Sequence, residues 1–161
     1  LVRDTDGVSA ALVAAELAAG LRAQGSSLRD RLEDIFRVHG AHVTRQRSLR
    51  IEGADWLDRV TAAMAALRAD PPPAVGERAV LEVEDLLPGG RLPPSDVLIF
   101  TLDGARLVIR PSGTEPKCKC YAEAVVAVAE HGVVAAARAQ ASAAVDEVLE
   151  AAGRLLAERG L

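Results

Sequence analysis

Aromatic residues are nearly absent from this chain: two Phe, one Trp and one Tyr among 161 residues, although half of the sequence is hydrophobic. A core must therefore be built from Ala, Val and Leu, and the composition is that of a globular domain. The interleaved aromatic platform on which single-stranded nucleic acid stacks is excluded. A basic surplus is missing too. The net charge of −4 and pI near 5.4 leave no footprint for a nucleic-acid backbone. Lysine is scarce: of 19 Lys and Arg, only Lys117 and Lys119 are lysines. The two cysteines, Cys118 and Cys120, stand two apart in an extended segment, so both face the same way; a disulfide between them would be strained. No second pair completes a zinc site, which leaves buried reduced thiols and a cytoplasmic compartment as the expectation. Long apolar runs are lacking, because Glu123, Glu130, Arg138 and Asp146 interrupt the most hydrophobic stretch, so no membrane span is expected. His39, His42 and His131 are scattered without ligand spacing, and no serine has the neighbouring His and acid of a hydrolase triad. The chain begins at Leu1 and reads as a piece of a longer protein; its length suffices for one domain with a real core plus a remnant of a neighbour.

Apolar periodicity after Asp6-Gly7 predicts a helix through Val8, Leu12, Ala15 and Leu17, with Gly20 or Gly25 near its end. A second starts near Ser26 or Ser27, carries Leu28, Leu32, Ile35 and Phe36 on one face, and stops at Gly40. His42 to Ile51 turns to strand-like composition. Trp56, Leu57, Val60, Met64 and Leu67 return to helical spacing until Pro71-Pro72-Pro73, where the missing N–H groups end the helix. Ala79, Leu81 and Val83 alternate with Val80, Glu82 and Glu84 as a half-exposed strand, followed by a Pro- and Gly-rich loop up to Ser95. Val97–Leu102 and Ala105–Arg110 flank Asp103-Gly104, a two-residue hairpin signal that asks both turn positions for positive φ. A strand from Lys117 to Val128 and an amphipathic helix from Val134 to Arg159 complete the chain. The expected fold is α+β: a mostly antiparallel sheet of four to five strands with helices on one face, preceded by a helical pair.

Between the last two strands lies Arg110-Pro111-Ser112-Gly113-Thr114-Glu115-Pro116-Lys117, which joins two cations, two hydroxyls and a permissive Gly. Arg110 can present a planar fork to two oxygens. Ser112 and Thr114 can donate hydroxyl hydrogen bonds, and Gly113 can let backbone N–H groups converge on an anion as a nest. The plain alternative is a surface turn in which Pro and Gly punctuate the chain and the charges are solvated. Glu115 cannot favour an anion directly; it is expected to orient Arg110 or cap the turn.

The order R-P-S-G-T-E-P resembles the C-terminal loop of the α-D-phosphohexomutases, the phosphoglucomutase and phosphomannomutase family, and Lys117-Cys118-Lys119-Cys120-Tyr121 is similar to its K-x-K-x-Y continuation, which leans toward phosphoglucomutase. The Asp6-Gly7 helix start resembles the last helix of the family's third domain. The resemblance implies that residues 1–40 are the end of that third domain and 41–161 the fourth, phosphate-binding domain. It implies a four-domain enzyme that interconverts hexose 1-phosphate and 6-phosphate through a phosphoserine, a hexose 1,6-bisphosphate intermediate that also serves as activator, and Mg²⁺. On that footing Arg110, Ser112, Gly113 and Thr114 bind the phosphate that is not being transferred, with Lys117 as an outer contact. The partners implied are a phosphosugar and the other three domains, with neither nucleic acid nor membrane. The family's serine loop, aspartate-rich magnesium loop and sugar-recognising glutamate loop have no counterpart here, so this chain alone is expected not to catalyse and to hold no metal. Asp4 and Asp6 read as a helix-start loop. The family often carries a lysine one position before the Asp-Gly pair; here Thr5 stands there, with Arg3 as a substitute. A stand-alone phospholigand-binding module and a purely structural domain are the competing readings.

Overall fold

The computed structural model describes residues 6–89 and 93–161; Arg3, Asp4 and Thr5 lie outside them, as does part of the Pro- and Gly-rich loop before Ser95. Two helices open the chain, α1 (Gly7–Ala23) and α2 (Leu28–His39). Asp6 caps α1 by accepting from the Val8 and Ser9 N–H groups, at 2.9 and 3.3 Å. Ser27 and Asp30 form a reciprocal capping box on α2. Neither helix buries a residue. Gly40 ends α2 at φ 88°, where an added Cβ would lie 2.9 Å from Val125 Cγ1 and 3.2 Å from the Val126 carbonyl oxygen. The chain therefore passes straight from helix into sheet only because no side chain stands there.

The rest is a sheet covered on one face. In chain order come β1 (Ala41–Arg50), α3 (Trp56–Ala69), β2 (Ala74–Val75), β3 (Arg78–Asp85), β4 (Leu98–Leu102), β5 (Ala105–Pro111), β6 (Lys117–Val126) and α4 (Val134–Ala157). The strands lie in the spatial order β1-β6-β5-β4-β3-β2, antiparallel throughout. The α+β class is as expected, with six strands among the described residues where four to five were expected. The addition is β2, too short for any periodicity to register, which buries Val75.

Strict alternation in β6 sends Cys118, Cys120, Ala122 and Ala124 inward, and these meet Leu107 and Ile109 of β5 and Leu98 and Phe100 of β4. Val60, Met64 and Leu67 of α3 and Val145, Val148, Ala152 and Leu156 of α4 close the same core. Phe100 is its one fully buried aromatic. Edge strand β1 lays Arg45 along α4, where its guanidinium pairs with Asp146 and donates to Ser142 Oγ at 2.8 Å. Arg68 of α3 reaches Asp85, at 3.1 Å, and Asp96, fastening that helix to the far side of the sheet.

Two local expectations change. The pairing of β3 with β4 slips between Val80 and Glu82, so two residues on β3 oppose one on β4. Leu81 takes the extra position and stands 66% exposed, while Val80 and Val83 pack on the core. At the Asp103-Gly104 turn only Gly104 has positive φ, at 68°. The Asp103 peptide is held from both sides: its N–H donates to the Ala79 carbonyl at 3.1 Å, and its carbonyl accepts from Arg78 Nη1 at 2.7 Å.

Leu156→Ala should cost about 2–5 kcal/mol, because a fully buried side chain leaves a cavity between α4 and the sheet. Leu81→Ala should stay within about 0.5 kcal/mol. Urea denaturation midpoints of the two variants check both values, and equal midpoints would contradict this packing.

Candidate functional site

Pairing of β5 with β6 places Pro111 opposite Cys118 and Arg110 opposite Lys119, which leaves residues 112–116 to reverse the chain. The Ser112 N–H donates to the Lys117 carbonyl at 2.9 Å, closing the loop at its base, and the Lys117 N–H donates to the Glu115 carbonyl at 2.7 Å. The Ile51 N–H, just beyond β1, donates to the Pro116 carbonyl at 2.9 Å. Three strand ends thus hold five residues. Behind them the Cys118 thiol contacts the Arg110 carbonyl at 3.6 Å.

What remains unpaired is what an anion needs. The backbone N–H groups of Gly113, Thr114 and Glu115 find no acceptor among the described residues, and all three residues are exposed. An added Cβ on Gly113 would meet nothing within 4 Å. Gly113 does not take positive φ, and the space that a side chain would fill there is open. Ser112 is only 6% exposed, the one buried polar residue among the described residues, and it anchors the loop through its backbone. Thr114 is exposed on the rim.

The cations divide into two kinds. Arg110, exposed at the end of β5, makes no side-chain hydrogen bond or ion pair among the described residues, so its fork is available. Lys117 instead donates to Glu115 Oε2 at 2.6 Å. Glu115 was expected to orient Arg110 or cap the turn; its carboxylate goes to Lys117, because strand alternation brings Lys117 to the loop's open side. That hydrogen bond and the Lys117 charge, helped by Lys119 and Arg50, hold the Glu115 carboxyl below the usual carboxylate range. Of the five residues singled out in the sequence, Arg110, Gly113 and Thr114 gather on the exposed rim, Lys117 stands beside them, and Ser112 lies beneath.

Arg50 and Lys119 belong to the same surface. Lys119 was legible as the second lysine on the face of Lys117, but its position opposite Arg110 depends on the strand register. Arg50 comes from β1, remote in sequence, and nothing before the strand order could bring it there. Farther along the same outer face lies an open cleft of about 380 Å³ lined by Thr44, Gln46, Arg106, Val108, Tyr121 and Glu123. There Arg106 stands opposite Glu123, which also meets His42 Nδ1 at 3.0 Å, and Arg45, which also lines the cleft, pairs with Asp146, so charge is balanced locally. Among the described residues no three His, Cys, Asp or Glu side chains gather to hold a metal, and these residues do not make a magnesium site. No helix among them is long and apolar enough to cross a membrane.

Residues 50–141 match the family described as phosphoglucomutase/phosphomannomutase, C-terminal domain. The chain is 40% identical over 124 residues to the probable phosphomannomutase of Haemophilus influenzae, an alignment that covers 76% of this chain and 24% of that protein. It is 31% identical over 132 residues to the phosphoglucomutase of Staphylococcus aureus strain USA300, covering 74% of this chain and 24% of that one. The chain thus spans about a quarter of the length of the curated relatives it matches.

Burial pushes the Cys118 thiol up to about 11 and the Cys120 thiol up to about 12. The thiol form is favoured in the folded chain, so each cysteine's contribution is fully present below its unfolded pKa, near 9, and is lost as pH rises through the folded value. Between about pH 9 and 11 stability should fall by up to about 1.4 kcal/mol per pH unit per thiol relative to a Cys118→Ala/Cys120→Ala variant. Urea melts of both proteins across that range give the comparison; parallel pH profiles would contradict the buried thiols.

Proposed function

Because this chain belongs to the phosphoglucomutase/phosphomannomutase family, with the family's C-terminal domain in residues 50–141, we propose that the loop between β5 and β6 binds the phosphate of a phosphosugar that is not being transferred. The observation that carries the reading is that the guanidinium of Arg110 and three successive N–H groups of the same loop, at Gly113, Thr114 and Glu115, are unengaged among the described residues. An anion there gains a bidentate fork and backbone donors fixed before it arrives, so little reorganisation is needed on binding. Thr114 adds a hydroxyl, Ser112 holds the loop's base, and Lys117 supplies a second charge. The role is positioning: one phosphate is clamped while chemistry proceeds elsewhere on the sugar.

The whole protein is proposed to interconvert hexose 1-phosphate and 6-phosphate through a phosphoserine enzyme and a hexose 1,6-bisphosphate, with Mg²⁺ as a Lewis acid for phosphoryl transfer and a cytoplasmic location. The groups that would hold the metal and carry the phosphoryl are assigned to other parts of that protein, so these 161 residues by themselves should turn over no hexose phosphate. Relatives bear the names phosphomannomutase and phosphoglucomutase, so the substrate class stays at hexose phosphates. Gly113 to Pro116 stand exposed on a rim, as suits a half-site against which other domains would close.

The boundary follows the same logic. Residues 41–161 form one sheet and core, and are proposed as the phosphate-binding domain. Residues 1–40 are proposed as the end of the preceding domain. In support, Val8 and Leu12 of α1 are 82% and 70% exposed and α2 leaves Val38 76% exposed, so these helices find little apolar cover among the described residues.

In the intact enzyme Arg110→Ala should lower kcat/KM by roughly ten- to more than a hundredfold, the loss of a charge-assisted, two-pronged contact. Lys117→Ala should cost less, because Lys117 is a point charge already shared with Glu115. Steady-state kinetics on folded variants, verified by circular dichroism, decide this; wild-type kinetics for Arg110→Ala would exclude the loop as the phosphate clamp.

A further inference from the structure

On the outer face of the sheet, Arg50 of β1 stands directly opposite Lys117 of β6, and one rung along Lys119 of β6 stands opposite Arg110 of β5. Like charges directly across an antiparallel pair repel at Cβ separations of about 4.5–5.5 Å. Two such pairs in consecutive rungs are unfavourable for the sheet and need a compensating anion. The chain supplies one from the adjoining loop. Glu115 lies 2.6 Å from Lys117, and the Lys119 and Arg50 charges act on the same carboxylate. Elsewhere on this face positive charge is matched in the rung itself, as Arg106 is by Glu123. At the loop end the match comes from a side chain that can swing away, since Glu115 is exposed and rooted between strands.

We propose that Arg50, Lys117 and Lys119 form an anion subsite beside the loop, and that the Glu115 carboxylate is an internal competitor which an incoming phosphate dianion displaces. The inference rests on the reading of the loop as a phosphate site and extends it to two residues, Arg50 and Lys119, and to a defined exchange. A phosphate entering from the Gly113–Glu115 rim draws the Lys117 ammonium toward itself, and Glu115 turns to solvent. Net affinity is the difference between two anions in one cationic field. The carboxylate thereby weakens phosphate binding while sparing the sheet its like-charge repulsion.

The test is isothermal titration calorimetry of inorganic phosphate into the full chain at low ionic strength, with four variants. Glu115→Gln should bind phosphate about two- to fivefold more tightly, the range for an exposed ion pair. Arg50→Gln and Lys119→Gln should each bind it about two- to fivefold more weakly and with a shallower salt dependence. Unchanged or weaker binding by Glu115→Gln, with Arg110→Ala still strongly impaired, overturns the competitor role and leaves the phosphate loop standing. Phosphate binding by Arg110→Ala equal to wild type removes the loop reading itself, and the subsite with it. Absence of phosphate binding in every protein, wild type included, likewise overturns both. Glu115 is exposed, so its replacement should not disturb folding, which circular dichroism verifies.

Discussion

Antiparallel pairing of β5 with β6, with Arg110 facing Lys119 and Pro111 facing Cys118, leaves five residues for the reversal and decides which way each flanking side chain points. A slip of one residue by β6 would turn Lys117 and Lys119 into the core and push Cys118 and Cys120 to the surface, and a slip by β5 would do the same with Arg110 and with Leu107 and Ile109. The core forbids either slip. Cys118, Cys120, Leu107 and Ile109 are fully buried, and burying unpaired cations in their place would cost as much as the chain's whole stability or more. The small, mostly aliphatic core is thus what aims the charges, and register is the link between packing and recognition.

The same constraint separates the loop from the rest of the surface. Along β6 and β5 the outward positions alternate with the buried ones, so on these two strands the charged side chains share the outer face. Near the hairpin turn end these groups balance one another, as Arg106 does with Glu123. Toward the loop they accumulate positive charge, and unpaired N–H groups stand beside it. On the proposed reading, charge and geometry together would draw an anion to that end.

Much of this was legible in the sequence, and the failures share a cause. Helix ends followed from Asp6, the Ser26-Ser27 pair, Gly40 and the triple proline because capping and the missing N–H are local effects. The inward face of α4 followed from periodicity, and its Val145, Val148, Leu149, Ala152, Leu155 and Leu156 are all buried. Contacts across the sheet decided the rest. The bulge at Leu81 answers to β4, and Asp103 keeps negative φ because Ala79 and Arg78 hold its peptide. Glu115 turns to Lys117 instead of Arg110, and Arg50 joins the site across β1 and β6. The R-P-S-G-T-E-P-K order pointed to phosphate from eight consecutive residues. The surrounding field needed the strand order, which no local pattern contains.

The most direct measurement is a crystal structure of the protein with a hexose phosphate bound. The account predicts phosphate oxygens at about 2.7–3.2 Å from the Arg110 guanidinium and from the backbone nitrogens of Gly113 and Thr114, within hydrogen-bonding range. A phosphate seated instead in the cleft between Gln46, Arg106 and Tyr121, with the loop untouched, would contradict it.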